Sequence, residues 1–150
     1  MISVLLVILG GFALPAQAAE RGAKAQLVGS TLAGLPAKAD VRLDLTGQET
    51  LVLGIAKTEL RIPYAKINTI EYGQSVSRRY AAAVLISPVL LLSKTRKHYV
   101  TLGYVNEAGG QEAIVFRVDK GDIRPVLAGL EARTGRRIEY QDNEARKSGR

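Results

Sequence analysis

Residues 99–119 read YVTLGYVNEAGGQEAIVFRVD, two segments rich in β-branched and aromatic residues on either side of a glycine pair. Residues 99–106 and 111–119 each have the composition of a β-strand. Gly109 and Gly110 permit the positive φ angles that a tight connection requires. We therefore predict a β-hairpin here, with one apolar face. The residues expected on that face are Val100, Leu102, Tyr104, Ile114, Phe116 and Val118.

An amphipathic helix is predicted directly after this hairpin. Asp122 is the expected N-cap, Pro125 is tolerated in the first turn, and Gly135 is the expected stop. The helix has a single apolar stripe, so it must dock on another element. Its stripe follows the i, i+3, i+4, i+7 spacing through Ile123, Val126, Leu127 and Leu130.

Short alternating segments separated by turn residues precede the hairpin. Residues 46–49 join the first two segments, Pro63 ends the third, and Gly73 ends the fourth. This spacing favours an antiparallel meander. The predicted strands cover residues 41–45, 50–55, 59–62 and 67–72, and residues 137–140 are expected to add a last short strand.

Consecutive strands followed by one helix indicate a mainly β chain with some α, in the α+β class. The sequence IPYAKI at 62–67, with IEYG at 70–73 and SKTRKHY at 93–99, resembles uncharacterised bacterial exported proteins with a PH-like or GRAM-like domain. The resemblance spans about residues 27–140. It implies a curved antiparallel sheet or incomplete β-barrel, a C-terminal capping helix and an inserted hydrophobic helix. PH-like domains commonly bind lipid headgroups or peptides, but a fold does not by itself assign a ligand.

The N-terminus has the features of a signal peptide. Residues 2–14 carry no charged side chain, and Ala16-Gln17-Ala18 supplies the small-x-small pattern read by signal peptidase. The run is shorter than the ~20 apolar residues of a membrane-spanning helix. A retained anchor stays an alternative, because no basic side chain precedes Arg21. We predict a signal peptide over 1–19, a domain over 20–140 and a disordered polar tail over 141–150.

The amino-acid composition excludes several kinds of chemical site and favours one class of partner. The chain has no cysteine, which excludes disulfides, thiolate catalysis and a lipoprotein anchor. Its net charge of +7 and isoelectric point near 9.9 favour anionic partners. Export makes nucleic acid an unexpected partner, although the basic clusters could bind it. The chain is therefore expected in the periplasm or secreted, where it can associate with a membrane.

The most unusual feature of the mature chain is a long apolar insert with cations at both ends, over residues 78–97. A dozen helical residues cover only about 18 Å, too little to cross a ~30 Å hydrocarbon core. Three interpretations stay open: a helix kinked at Pro88 that is part of the core, a shallow contact with anionic lipid, or self-association. The candidate contact residues are Arg78, Arg79, Val84, Leu85, Leu91, Lys94, Arg96 and Lys97.

No motif points to catalysis, a metal or a cofactor. His98 is the only histidine, which leaves no histidine-based metal cluster, and no serine sits in a nucleophile signature. The aspartates lack calcium-loop spacing, and no glycines form a phosphate-binding loop. We predict a non-enzymatic exported domain without cofactor or metal that contacts an anionic membrane or envelope surface. The alternative is a soluble periplasmic or secreted module that binds another protein or itself.

Overall fold

The structure, a computed structural model, describes residues 22–76 and 97–149. These residues form one curved eight-stranded sheet and two helices, which confirms the mainly β, α+β class. The sheet is curved and does not close on itself into a barrel. The strands are β1 (Ala23–Ser30), β2 (Asp40–Asp44), β3 (Thr50–Ile55), β4 (Thr58–Pro63), β5 (Ile67–Gly73), β6 (His98–Val105), β7 (Gln111–Val118) and β8 (Glu139–Tyr140); the helices are α1 (Ile123–Thr134) and α2 (Asn143–Gly149).

The strand order is β4-β3-β2-β1-β7-β6-β5-β8. All neighbours are antiparallel except β5 and β8, which are parallel. The expected meander is therefore interrupted, because β5 pairs with β6 and β8 instead of β4. A 3-10 turn over Tyr64–Lys66 is the whole link between β4 and β5. So short a link between distant positions in the sheet requires strong curvature, which brings the end of β4 near the start of β5.

Strand β1 was not predicted, although it lies in the middle of the sheet between β2 and β7. In its sequence, AKAQLVGS, Ala23, Ala25 and Leu27 alternate with Lys24 and Gln26, but alanine and glycine are uncommon in strands. The ladder with β7 pairs Leu27 with Phe116 and Gly29 with Val115, so Val28 is the extra residue of a β-bulge. Hydrogen bonding to β2 and β7 therefore stabilises the strand, although its own residues have only a weak strand preference.

The main core lies between the sheet and α1. All six core residues predicted for the β6–β7 hairpin and all four of the α1 stripe are buried in one cluster. Gly135 ends α1 at φ 67°, and its N–H donates to the Glu131 carbonyl at 2.9 Å. Asp122 precedes the helix as expected, but its side chain makes no capping hydrogen bond. The periodicities of strand and helix therefore predicted this core correctly.

The predicted disordered tail is wrong over most of its length, because Asn143–Gly149 forms α2. The Asp142 carboxylate accepts a hydrogen bond from the Ala145 N–H at 2.6 Å, which is the bond that an N-cap side chain makes. Ala145 is fully buried in the main core. Gly149 packs so closely that a Cβ would come within 3.2 Å of Tyr140, Leu127 and Tyr72. Docking on the core stabilises a helix that is too short to persist alone.

Candidate functional site

The segment that carries the predicted contact residues lies outside the described residues, except for its last member. Lys97 is half-buried and immediately precedes β6. The inserted helix and its membrane contact stay predictions. The described chain meets the segment at Val76 on one side and at Lys97 on the other. The predicted residues outside the described ranges are Arg78, Arg79, Val84, Leu85, Leu91, Lys94 and Arg96.

A second apolar cluster lies on the face of the sheet opposite the main core. We call it the outer patch; it consists of Val28, Tyr99, Ala113 and Val115. These side chains are between 0 and 5% exposed. Val76 is the partly buried hydrophobic residue of the described ranges that packs against them. The outer patch thus begins beside the last described residue before the segment.

Strand register explains why these residues come together. On the outer face of the β6–β7 ladder, Thr101 pairs with Val115 and Gly103 pairs with Ala113. The bulge in β1 adds Val28 beside them, since Gly29 is paired with Val115. Thr101 is also buried, at 3% exposure. The space beside Gly103 is filled by the side chains of Asn68, Thr69 and Gln111, which lie within 3.2 Å of where a Cβ would be.

Polar and aromatic contacts link β5, which precedes the segment, to β6, which follows it. The Tyr72 hydroxyl on β5 lies 2.6 Å from Nδ1 of His98 on β6, and the two ring planes are 7° apart. The Tyr140 ring meets Tyr72 edge-on at a centroid distance of 6.0 Å. These contacts join β5 and β6, the strands on either side of the segment, to β8.

Gln141 forms the adjoining polar contact. Its Nε2 donates to Glu71 Oε1 at 3.0 Å and to the Ser75 carbonyl at 2.8 Å. Glu71 is only 7% exposed, so the bond to Gln141 gives its carboxylate a partner. A Cβ on Gly73 would overlap the Gln141 side chain, so glycine is required there for this arrangement.

Burial shifts the pKa values of His98 and Tyr72. It lowers the pKa of His98 below 6.5, and the positive charge of Lys120 lowers it further. Burial is the larger of these two causes. Burial raises the pKa of Tyr72, with a hydrogen bond to Ser148 opposing the rise. Near neutral pH the pair is an uncharged phenol beside an uncharged imidazole.

Tyr99 brings a hydroxyl to the edge of the outer patch. Burial raises its pKa, and the nearby charge of Arg117, its partner across the β6–β7 ladder, opposes that rise. The side chain therefore stays uncharged at neutral pH. An uncharged, buried ring suits an apolar contact surface better than a catalytic acid or base.

The described ranges contain no group of three or more His, Asp or Glu side chains arranged to hold a metal ion. None of their helices is long and apolar enough to cross a bilayer. An open groove on the outer face of β2, β3 and β4 is lined by cations and anions together, among them Lys57, Arg61, Asp44 and Glu59. Its mixed charge gives no preference for an anionic or a cationic ligand.

Charge is distributed unevenly along the chain. Residues 77–96 contain four cationic side chains and no acidic one. The described residues, by contrast, contain fifteen Lys and Arg against thirteen Asp and Glu. Most of the net charge of +7 therefore belongs to the segment and the termini, and little to the folded sheet.

Sequence reasoning missed the outer patch and the Tyr72–His98 contact. One signal was available for the patch: Ala113, Ile114, Val115 and Phe116 form an unbroken apolar run, which is typical of a strand buried on both faces. The pairing of Tyr72 with His98 depends on the β5–β6 register and has no local signal. A comparison with protein-family models and with curated proteins finds no match to this chain.

Proposed function

We propose that this protein is an exported, non-enzymatic PH-like domain that contacts an anionic membrane surface through residues 78–97. The observation that carries the proposal is the charge pattern: four cations and no acid surround an apolar run in residues 77–96, while the described remainder is nearly balanced. Cations on both sides of a short apolar segment suit a shallow position at the headgroup boundary.

The order of elements supports the PH-like part of this proposal. Seven strands paired antiparallel form a curved sheet, and α1 follows β7 and packs its stripe into the main core. The Arg133 side chain, near the end of α1, donates to Gln48 Oε1 at 2.8 Å in the β2–β3 turn. The helix is thereby held across the concave side of the sheet. The apolar leader over residues 2–14 supports export.

The expected electrostatic free energy is large enough for reversible binding of the protein to an anionic membrane. A basic residue near an anionic surface contributes about 1 kcal/mol, and the attraction weakens within a Debye length of about 8–10 Å at physiological salt. Arg78, Arg79, Lys94, Arg96 and Lys97 together would then contribute several kcal/mol, to which burial of apolar side chains adds. The interaction should be strong at low salt and weaken as salt rises.

Vesicle co-sedimentation tests the proposal on the chain expressed with its own leader in an exporting bacterium. Phosphatidylglycerol-containing vesicles are compared with pure phosphatidylcholine vesicles. The charge variant replaces Arg78, Arg79, Lys94 and Arg96 with Gln. The matched control replaces Arg124, Arg136, Arg137 and Lys147 with Gln, four exposed cations that lie outside the segment.

We expect the unmodified protein to bind anionic vesicles, the control to keep most of that affinity, and the charge variant to lose about fivefold per cation removed. A Leu85→Asp, Leu91→Asp double variant that still folds should also lose binding. If the charge variant and the control lose affinity equally, only net charge matters and the assigned segment is wrong. Absence of binding at low salt would reject membrane contact altogether.

A second candidate is a soluble periplasmic or secreted module that binds another protein or itself. The apolar run over residues 81–92 favours it, because a contiguous apolar surface is also typical of protein–protein contacts. Equilibrium sedimentation without vesicles separates the two candidates. A concentration-dependent dimer that the Leu85→Asp, Leu91→Asp variant abolishes would favour self-association.

A further inference from the structure

We propose that a groove beside the two helices is a docking surface for an acidic segment of another protein. We call it the arginine groove; it lies between α1, β8 and α2, and its rim carries Arg124, Arg137 and Arg146. The residues that carry this inference lie outside residues 78–97, so it goes beyond membrane contact and does not depend on it.

Three cations from separate parts of the chain converge on the arginine groove. Arg124 is in the first turn of α1, Arg137 lies between α1 and β8, and Arg146 belongs to α2. All three are exposed, and Glu131 is the acid among the described lining residues. The described chain as a whole carries fifteen Lys and Arg against thirteen Asp and Glu. The excess of positive charge at the groove is therefore local.

Packing in the main core sets the positions of these arginines. Ile138 directly follows Arg137, Ala145 directly precedes Arg146, and both of these neighbours are buried in the main core. Ile123 fixes the first turn of α1 in the same way. Because each arginine is next to a buried residue, the groove is formed before a ligand binds, which lowers the entropic cost of binding.

An aromatic ring gives the groove an apolar contact. The Arg146 guanidinium carbon lies 6.0 Å from the centroid of the Tyr140 ring, the distance of a cation–π contact. Tyr140 is half-buried, and the lining residues Ala128 and Gly149 are small. A ligand can therefore place an apolar side chain beside the ring while its anionic groups meet the arginines.

The dimensions of the groove favour a chain of carboxylates over a single small anion. The arginine fork matches a carboxylate through two parallel hydrogen bonds. Along α1 the groove runs from Arg124 to Glu131, seven residues or about 10 Å. Its volume is about 710 Å³, within the ~300–1,000 Å³ of typical ligand sites. One carboxylate or phosphate would leave most of this space empty, whereas an extended acidic peptide spans it.

Other occupants fit the groove less well. A bilayer surface is planar on this scale, so it would meet the rim of a concave groove and leave its lining without a contact. A second copy of the chain is also a poor match. Within residues 22–76 and 97–149 no two acidic residues are adjacent in sequence, so these ranges offer no acidic segment of their own.

Fluorescence anisotropy on the full chain tests the inference with a synthetic probe. The probe is a fluorescein-labelled hexapeptide in which four glutamates flank two central leucines, and a counterpart with glutamines measures binding without charge. The groove variant replaces the three rim arginines with Gln. The matched control removes the same charge from three exposed cations outside the groove, Lys57, Arg61 and Lys66.

We expect the glutamate peptide to bind at low salt and the glutamine peptide to bind at least tenfold more weakly. The groove variant should lose about tenfold in affinity and the control less than twofold. Equal losses in the two variants would overturn the inference, because net charge alone would then explain binding. Absence of binding by the glutamate peptide would overturn it as well.

A gain of affinity provides a second test, which also decides the matter if the groove variant does not fold. Glu131→Gln removes the acid from the groove and should raise the affinity for the glutamate peptide about twofold. Glu107→Gln makes the same change in charge at the exposed β6–β7 turn and should leave the affinity unchanged. Equal effects of the two substitutions would contradict the assignment to the groove.

Vesicle binding by the same variants separates this inference from the proposed function. We expect the groove variant and its control to bind phosphatidylglycerol-containing vesicles equally well. A groove variant that loses vesicle binding and keeps peptide binding would assign the groove to the membrane and overturn the inference. Peptide binding by a protein that binds no vesicles would support the groove and reject membrane contact alone.

Discussion

The Tyr72 hydroxyl lies 2.6 Å from Nδ1 of His98, and the planes of the two rings are only 7° apart. Tyr72 belongs to β5 and His98 begins β6, so this contact joins the strands on either side of residues 77–96. It fixes the separation of the two points between which that segment must run.

Replacing Tyr72 with Phe should lower the free energy of unfolding by about 1 kcal/mol, because the half-buried His98 imidazole loses its hydrogen-bond partner. Tyr64→Phe is the matched control. The Tyr64 hydroxyl is buried and has no hydrogen-bond partner within the described part of the chain, so its removal should be neutral or stabilising. Urea unfolding measures both. Equal losses in the two variants would show that the Tyr72–His98 bond contributes nothing.

Acidification should destabilise the fold through His98. Burial and Lys120 lower its pKa in the folded state, so the unfolded chain, with a pKa near 6.5, takes up the proton first. Stability is therefore full above about pH 6.5 and falls as pH drops toward the lowered pKa. The single histidine gives one assigned NMR titration, and Lys120→Gln should raise its midpoint. A midpoint at or above 6.5 in the folded protein would contradict this account.

Gly73→Ala should destabilise the protein by about 1–2 kcal/mol. The added Cβ would displace the Gln141 side chain and so break its hydrogen bonds to Glu71 and Ser75. Gly121→Ala is the control, since nothing lies within 4 Å of a Cβ there. In urea unfolding, Gly73→Ala combined with Gln141→Ala should cost less than the sum of the two single changes. Additive costs would show that the two sites are not coupled.

Ala145→Asp should destabilise the protein by about 2–4 kcal/mol, because it places a charge in the fully buried site between α2 and the main core. Asn143→Asp adds the same charge at an exposed position in the first turn of the same helix, where the helix dipole favours it. That control should stay within about 0.5 kcal/mol of the unmodified protein. If both variants are equally stable by urea unfolding, α2 is not docked.

The parts of the fold that were predicted are those whose signal lies within a few residues. The α1 stripe through Ile123, Val126, Leu127 and Leu130 is buried as its spacing indicates. The β6–β7 hairpin turns near Gly109, whose φ of 84° needs glycine. In both elements one face packs against the core, and the spacing of the apolar residues along the chain indicates which face that is.

Other features depend on contacts between distant residues and were missed. Ala23–Ser30 has a weak strand signal and is held by β2 and β7 on its two sides. Asn143–Gly149 is polar apart from Ala145, and its helix depends on the cap from Asp142 and on docking. The absence of pairing between β4 and β5 follows from the curvature of the whole sheet.

The β-rich class, the buried face of α1 and the cations around an apolar segment can all be predicted from the amino-acid sequence, because composition and short-range periodicity encode these properties. The central position of β1 and the contact between Tyr72 and His98 become visible in the folded chain, as does the buried surface opposite the main core. Strand order and register bring residues from separate parts of the chain together. A local pattern cannot specify which strand pairs with which, since the backbone hydrogen bonds that join strands are the same for every sequence.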